Sequence, residues 1–373
     1  MPRRVSGILY TNLEREAVQQ SMRRIGADVK FHEGACRLGA SPLGALAELD
    51  AIGYTGILVR TIDEAFPTLD PEAIAGFDAA SKARGMFVRM GIGKINPYMT
   101  AELPRVRHLG EGSYLAGMER MVRICSDHGW TEVWTAVGGF KPWLPAPYCF
   151  DRFRTDVTWE AQLEATSRFI SRLAPTLRSE GVRLNIETHE EITTHEIVRL
   201  VEEHGADIVG VCFDPANLPV RGEAVLAGAL RVAPYTHLTH LRDSIIARTD
   251  HGMSRFLMPI GDGQLEWADL LTPFAERADV DFIVEAVGGT RAEMTLEPDD
   301  AFWRAAHPDF SSAEISQLTA LADTHEMSSR LGKMPDVATL RTHSDADSGY
   351  REFLSRSLLA LRAQLATLAP QPN

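Results

Sequence analysis

The sequence predicts an α/β protein: a single (β/α)8 TIM barrel over residues 1–373, with a long helical insertion, residues 288–347, between strand eight and the last helix. Three observations predict it. Eight short apolar runs alternate with amphipathic stretches, the order a parallel sheet requires. The last four runs, Val182–Glu187, Ile208–Asp214, Thr236–His240 and Asp281–Glu285, each end in a residue suited to metal binding. No Gly-x-Gly-x-x-Gly follows the first run, which weighs against an open dinucleotide-binding sheet.

Strand one is expected near Asp28–Phe31, strand two at Gly56–Arg60, strand three at Met86–Gly91 and strand four at Glu132–Val137. The four runs above supply strands five to eight. All are short, rich in β-branched residues and bounded by polar or turn residues, as buried parallel strands are. Trp159, Leu163, Phe169, Ile170, Leu173 and Leu177 mark the apolar face of a helix before strand five. Helices are also expected at His195–His204, at Leu265–Ala275 and, closing the chain, from Phe353 to Leu368 with Pro370 as its stop. Two stretches exceed ordinary loop length: Gly138–Thr158, and the insertion, which has helical spacing at Ile315, Leu318, Leu321 and Ala322. Long segments after barrel strands wall the catalytic face. Within the insertion, Phe302, Trp303 and His307 are candidates for contact with a partner subunit.

Lys and Arg number 38 against 51 Asp and Glu, a formal net charge of -13 that repels phosphate backbones and anionic membranes, so neither nucleic acid nor a membrane is an expected partner. Cys36, Cys125, Cys149 and Cys212 are scattered, with no Cys-x-x-Cys, which opposes a disulfide framework and a thiolate zinc site. With no signal-like apolar start, a cytoplasmic location is expected.

Glu187, Asp214, His240 and Glu285 form a candidate metal set of three carboxylates and one imidazole. This set suits one divalent ion, Mn²⁺ first, with Mg²⁺, Co²⁺ and Zn²⁺ as alternatives. Singly, each residue reads as a salt-bridge or surface residue. Four at successive strand ends read differently, because three buried carboxylates without a cation are costly. Alternation places Asn185, Glu187 and His189 on one face and His240 with Arg242 on another, with Arg242 set to hold a substrate oxygen. Cys212 shares Asp214's face as a packing residue. Lys94, after strand three, lies at the mouth as a candidate substrate-binding residue; His32 and Glu33 after strand one are similarly placed.

The motifs Asn185-Ile186-Glu187-Thr188-His189, Val211-Cys212-Phe213-Asp214-Pro215-Ala216-Asn217, Thr239-His240-Leu241-Arg242-Asp243, Pro259-Ile260-Gly261-Asp262-Gly263 and Val284-Glu285 resemble those of the xylose-isomerase-like barrels. The superfamily includes sugar isomerases, epimerases and apurinic endonucleases. The resemblance implies a metal held by Glu187, Asp214, His240 and Glu285. It also implies proton transfer next to a carbonyl through an enediolate, with Glu187 and Glu285 as the two bases and His189, Asn217 and Arg242 on substrate hydroxyls. The chain departs from the pattern at Arg60, where many relatives carry an acid, and in its long insertion. Trp130, Trp134, Trp143 and Trp303 suit an aryl-bearing sugar, with Trp143 as a substrate contact. The second reading is therefore a lyase that cleaves 3-oxo-glycosides by elimination with a smaller partner subunit. The expected partners are a small carbohydrate or aryl glycoside, and a second copy of the chain or that smaller subunit. An endonuclease would need further strand-end histidines; His32, His128 and His251 exist, but the acidic balance opposes it. A non-catalytic sugar-binding protein would be favoured had Glu187 or Glu285 been replaced.

Overall fold

The computed structural model describes residues 24–99, 103–141, 143–250, 252–287, 290–344 and 347–368. Seven parallel strands pair in chain order: β1 (Ile25–Val29), β2 (Gly56–Val59), β3 (Phe87–Gly91), β4 (Glu132–Thr135), β5 (Arg183–Glu187), β6 (Val209–Phe213) and β7 (Thr236–Thr239). The chain then leaves the sheet as an antiparallel hairpin, β8 (Asp243–Thr249) and β9 (Gly252–Met258). It returns as β10 (Phe282–Val284), which pairs with β1. Parallel bridges Leu238–Asp281 and Leu241–Val284 bring β7 against β10, so the eight parallel strands form a nearly closed barrel.

Strand one lies about one turn of pleat earlier than the apolar pattern suggests, because its register is set by Gly26 facing Gly56. Neither glycine reads as a strand residue, yet the Phe87 ring takes the space their side chains would need. Inside the barrel, Leu58, Trp134, Ala136, Cys212, Leu238 and Ile283 form an apolar layer, so Cys212 does face inward. Below it lies a polar layer in which Asp281 binds Arg24 and Arg89, both at 2.6 Å. One or two residues beyond the apolar layer, the strands present Arg60, Glu187, Asp214, His240 and Glu285.

The helices expected before β5 and β6 are found at Trp159–Glu180 and Thr194–His204, the second started by a capping box of Thr193 and Glu196. The last helix runs Asp347–Leu368. The helix expected at Leu265–Ala275 is shorter, Trp267–Leu271 with a 3-10 turn at Thr272–Phe274, where Pro273 lacks the donor to continue it. Ser41, Asp70 and Ser113 cap three helices the apolar pattern leaves unassigned, Pro42–Ile52, Pro71–Ala83 and Tyr114–Asp127.

The segment set apart as an insertion carries β11 (Met294–Leu296), which adds to β9 and makes a three-stranded side sheet with β8. Helix Ser312–Arg330 lays Leu318 and Ala322 on Ile246, Met253 and Leu296. Helix Val337–Thr342 lays Leu340 on the other face, against Ile245, Ala247, Phe256 and Met258. The side sheet is thus buried on both faces. Trp303 and His307, offered above as partner contacts, are buried within the chain and stacked with centroids 3.8 Å apart, leaving Phe302 exposed. Among the described residues no helix is long and apolar enough to cross a membrane. Gly288, His251 and Pro370 lie outside the described residues.

Candidate metal and substrate site at the barrel mouth

Glu187 ends β5, and Glu285 and His240 follow β10 and β7 by one residue. Parallel strands bring these ends to one face, and all three side chains are buried with ligand atoms within 4.8 Å of one another. His240 Nδ1 lies 3.0 Å from Glu187 Oε1 and 3.7 Å from Glu285 Oε2. His240 Nε2 and Glu285 Oε2 are buried without a hydrogen bond among the described residues. Two buried carboxylates and an imidazole whose Nε2 has no hydrogen bond among the described residues fit a divalent cation.

Asp214, the fourth expected ligand, is placed differently. Its Oδ2 accepts from Arg242 Nε at 2.9 Å and Nη2 at 2.6 Å, and from Asn217 Nδ2 at 2.8 Å. Arg242 Nη2 also reaches Asn217 Oδ1 at 3.1 Å and Glu285 Oε2 at 3.1 Å. Asp214, Asn217 and Arg242 therefore form one bonded group beside the cluster of three. His189 is turned to Glu191, whose Oε1 accepts from the Gly138 amide at 2.6 Å. Trp143 is 71% exposed on the loop after β4.

Several site residues carried weaker sequence signals. Arg60 ends the β2 run and bonds Asp28 through Nε (2.9 Å) and Nη2 (2.6 Å), and Glu285 Oε1 through Nη2 (2.6 Å). A side chain at Gly91 would collide with the Arg60 carbonyl, so a glycine there lets β3 pass. Lys30 lies 2.9 Å from Glu285 Oε1. Trp134 Nε1 donates to Glu187 Oε2 at 3.0 Å. Period-two alternation could have found Asp28 with Lys30, and Trp134, but no spacing signals which acid Arg60 would choose.

Burial opposes charge on Glu187, but His240, His189 and Arg60 outweigh it and hold its carboxyl below the usual range. Burial likewise opposes charge on Glu285, and Arg242, Arg60 and Lys30 overcome it. Burial pushes the Asp214 carboxyl up, with Glu285 and Glu187 adding to it against Arg242.

A family model described as a xylose isomerase-like TIM barrel matches residues 46–306. The Escherichia coli K12 protein YihM, itself uncharacterised, is 26% identical over 177 residues, 45% of this chain; the match spans about half, 52%, of that protein's length. E. coli 3-keto-D-glucoside 4-epimerase, YcjR, superposes with a TM-score of 0.52 at 14% identity, covering 80% of this chain and 100% of its own. An L-ribulose 3-epimerase gives 0.55 at 15% identity, covering 93% and 96%. A xylose isomerase-like TIM barrel protein from Mycobacterium smegmatis, solved in complex with magnesium, gives 0.54 at 17% identity, covering 81% and 99%. At such identities the solved structures show a shared fold.

Proposed function

The chain belongs to the xylose isomerase-like TIM barrel family, and from that premise we propose that it is a metal-dependent carbohydrate isomerase or epimerase that moves a proton on the carbon beside a carbonyl. The observation that carries this reading is the pair of buried carboxylates, Glu187 and Glu285, both set against His240 Nδ1. Glu187, His240 and Glu285 would hold the ion, with Asp214 as a fourth ligand. A divalent ion, when bound, lowers the cost of negative charge on a substrate carbonyl oxygen; Mn²⁺ is our expected ion.

The chain's own groups supply the rest. One glutamate, ionised as its neighbours hold it, takes the proton from carbon and the C–H electrons pass into the carbonyl; the other passes a proton taken from solvent or a substrate hydroxyl to the opposite face of that carbon as the first gives its own up. Trp134 fixes the orientation of Glu187, and Arg60 and Lys30 that of Glu285. Arg242 and Asn217, bonded to each other, would grip substrate hydroxyls, as would His189, held by Glu191 just after β5. In this reading residues 290–344 of the insertion wall the mouth. Purified protein should carry about one divalent ion. In deuterated water it should exchange hydrogen at carbon in ketoses. Glu187→Gln and Glu285→Gln should each lower exchange at least ~100-fold with the fold intact by circular dichroism. Full exchange by either variant would overturn the two-base scheme.

A second reading, elimination of an aglycone from a 3-oxo-glycoside, is favoured by the exposed rings of Trp143 and Phe140 on the loop after β4, and by the 3-keto-D-glucoside in the name of the E. coli epimerase that shares the fold. There the same base would remove the proton beside the ketone and the aglycone would leave. Release of a chromogenic aglycone from a 3-oxo-glycoside, with or without a co-purified small subunit, separates the two.

A further inference from the structure

Beside the three ligand residues lies a cavity of about 340 Å³ between the ends of β1 and β4, lined among others by Lys30, Arg60, Lys94, Trp134, Asp63 and Glu64. That volume is within the usual span of small-molecule sites, ~300–1,000 Å³. Two cations face one indole: Lys94 Nζ lies 4.4 Å and Arg60 Cζ 4.8 Å from the Trp134 ring centroid.

Their partners differ. Arg60 binds Asp28 and Glu285 through Nε and Nη2, while its Nη1 makes no bond among the described residues. The Lys94 ammonium forms no hydrogen bond or ion pair among the described residues; burial acts against its charge, while Glu191 and Glu187 support it and Arg60 opposes it. No acid in the wall forms an ion pair with it. Asp63 faces Arg105 at 3.7 Å, and Glu64 is not within ion-pair distance of Lys94.

The charge balance points the same way. Five buried carboxylates at the mouth, Asp28, Glu187, Glu191, Asp214 and Glu285, face four cations, Lys30, Arg60, Arg242 and Lys94. A divalent ion added to that set leaves one surplus positive charge. A neutral sugar would leave it uncompensated in the cavity.

We propose that the substrate carries an anionic group, a carboxylate or a phosphate, which Lys94 and Arg60 bind beside Trp134. This rests on the sugar-site reading above and narrows it to charged sugars. The indole links the two functions, since its N–H holds Glu187 while its face carries Lys94. An anion on Lys94 would therefore seat the reacting carbon near Glu187.

The test is titration calorimetry of the metal-loaded wild-type protein with D-fructose, D-fructuronate and D-fructose 6-phosphate, which differ at carbon six. At least one anionic ketose should bind about tenfold or more tighter than D-fructose, the favoured one identifying the anion. That preference should shrink as salt rises, which needs no variant. Lys94→Met should abolish it and Lys94→Arg should keep most of it, both with wild-type circular dichroism. Equal affinities, no binding by any of the three, or an unchanged preference in Lys94→Met would overturn the proposal. Hydrogen exchange keeps the two readings apart. Exchange into D-fructose as fast as into both anionic ketoses sinks the anion site alone, whereas Lys94-dependent binding without exchange sinks the proton-transfer reading alone.

Discussion

His307 shows how a single side chain's protonation is read from its neighbours. Its Nδ1 lies 2.6 Å from the Trp303 carbonyl, to which it donates, and its Nε2 accepts from Arg221 Nη1 at 3.0 Å. Only a neutral imidazole does both. Burial, with Arg221 and Arg152 nearby, holds its pKa well below the ordinary 6.5. A histidine depressed in the fold contributes stability that is present above its unfolded pKa and is lost as pH falls through 6.5. Wild-type stability should therefore drop relative to His307→Gln by about 1.4 kcal/mol per pH unit below 6.5, in urea melts from pH 7.5 to 5. A constant difference across that range would contradict the assignment. From sequence this histidine reads as a surface or partner contact, because nothing local announces Arg221, 86 residues away.

At the scale of elements, the side sheet depends on the insertion. β8 and β9 hold Ile245, Ile246, Ala247, Phe256 and Met258 buried on two faces, so the run does not alternate and reads poorly as a strand. Helix Ser312–Arg330 covers one of those faces with Leu318, which is 1% exposed. Leu318→Ala should cost roughly 2–5 kcal/mol by lost burial and a residual cavity. Hydrogen exchange should locate the loss, with faster exchange in β8 and β9 and unchanged protection in β2 to β6. Uniform acceleration across the barrel would mean that sheet and barrel unfold as one unit.

For the whole molecule, the seam between β10 and β1 is where a chain of this topology must close over its greatest sequence separation. Asp281 sits there at 1% exposure, joined to Arg24 before β1 and to Arg89 in β3. Asp281→Asn keeps the shape and removes the charge, leaving the partly buried Arg89 guanidinium unmatched. Loss of about 1.5–3 kcal/mol is expected, with a cooperative drop in melting temperature seen by calorimetry. A change under about 1 kcal/mol would show that backbone pairing alone holds the seam.

The barrel and its strand-end acids were legible in the chain itself. Period-two alternation and parallel order oblige Glu187, His240 and Glu285 to converge, whatever the loops do. Those are local rules, and a sequence states local rules openly. Which acid takes which arginine is another matter. Arg60 reaches Glu285 across 225 residues, Asp214 turns to Arg242, and Lys94 is left over an indole. Buried charges choose partners by distance and desolvation, and both quantities exist only once the barrel has brought the strand ends together.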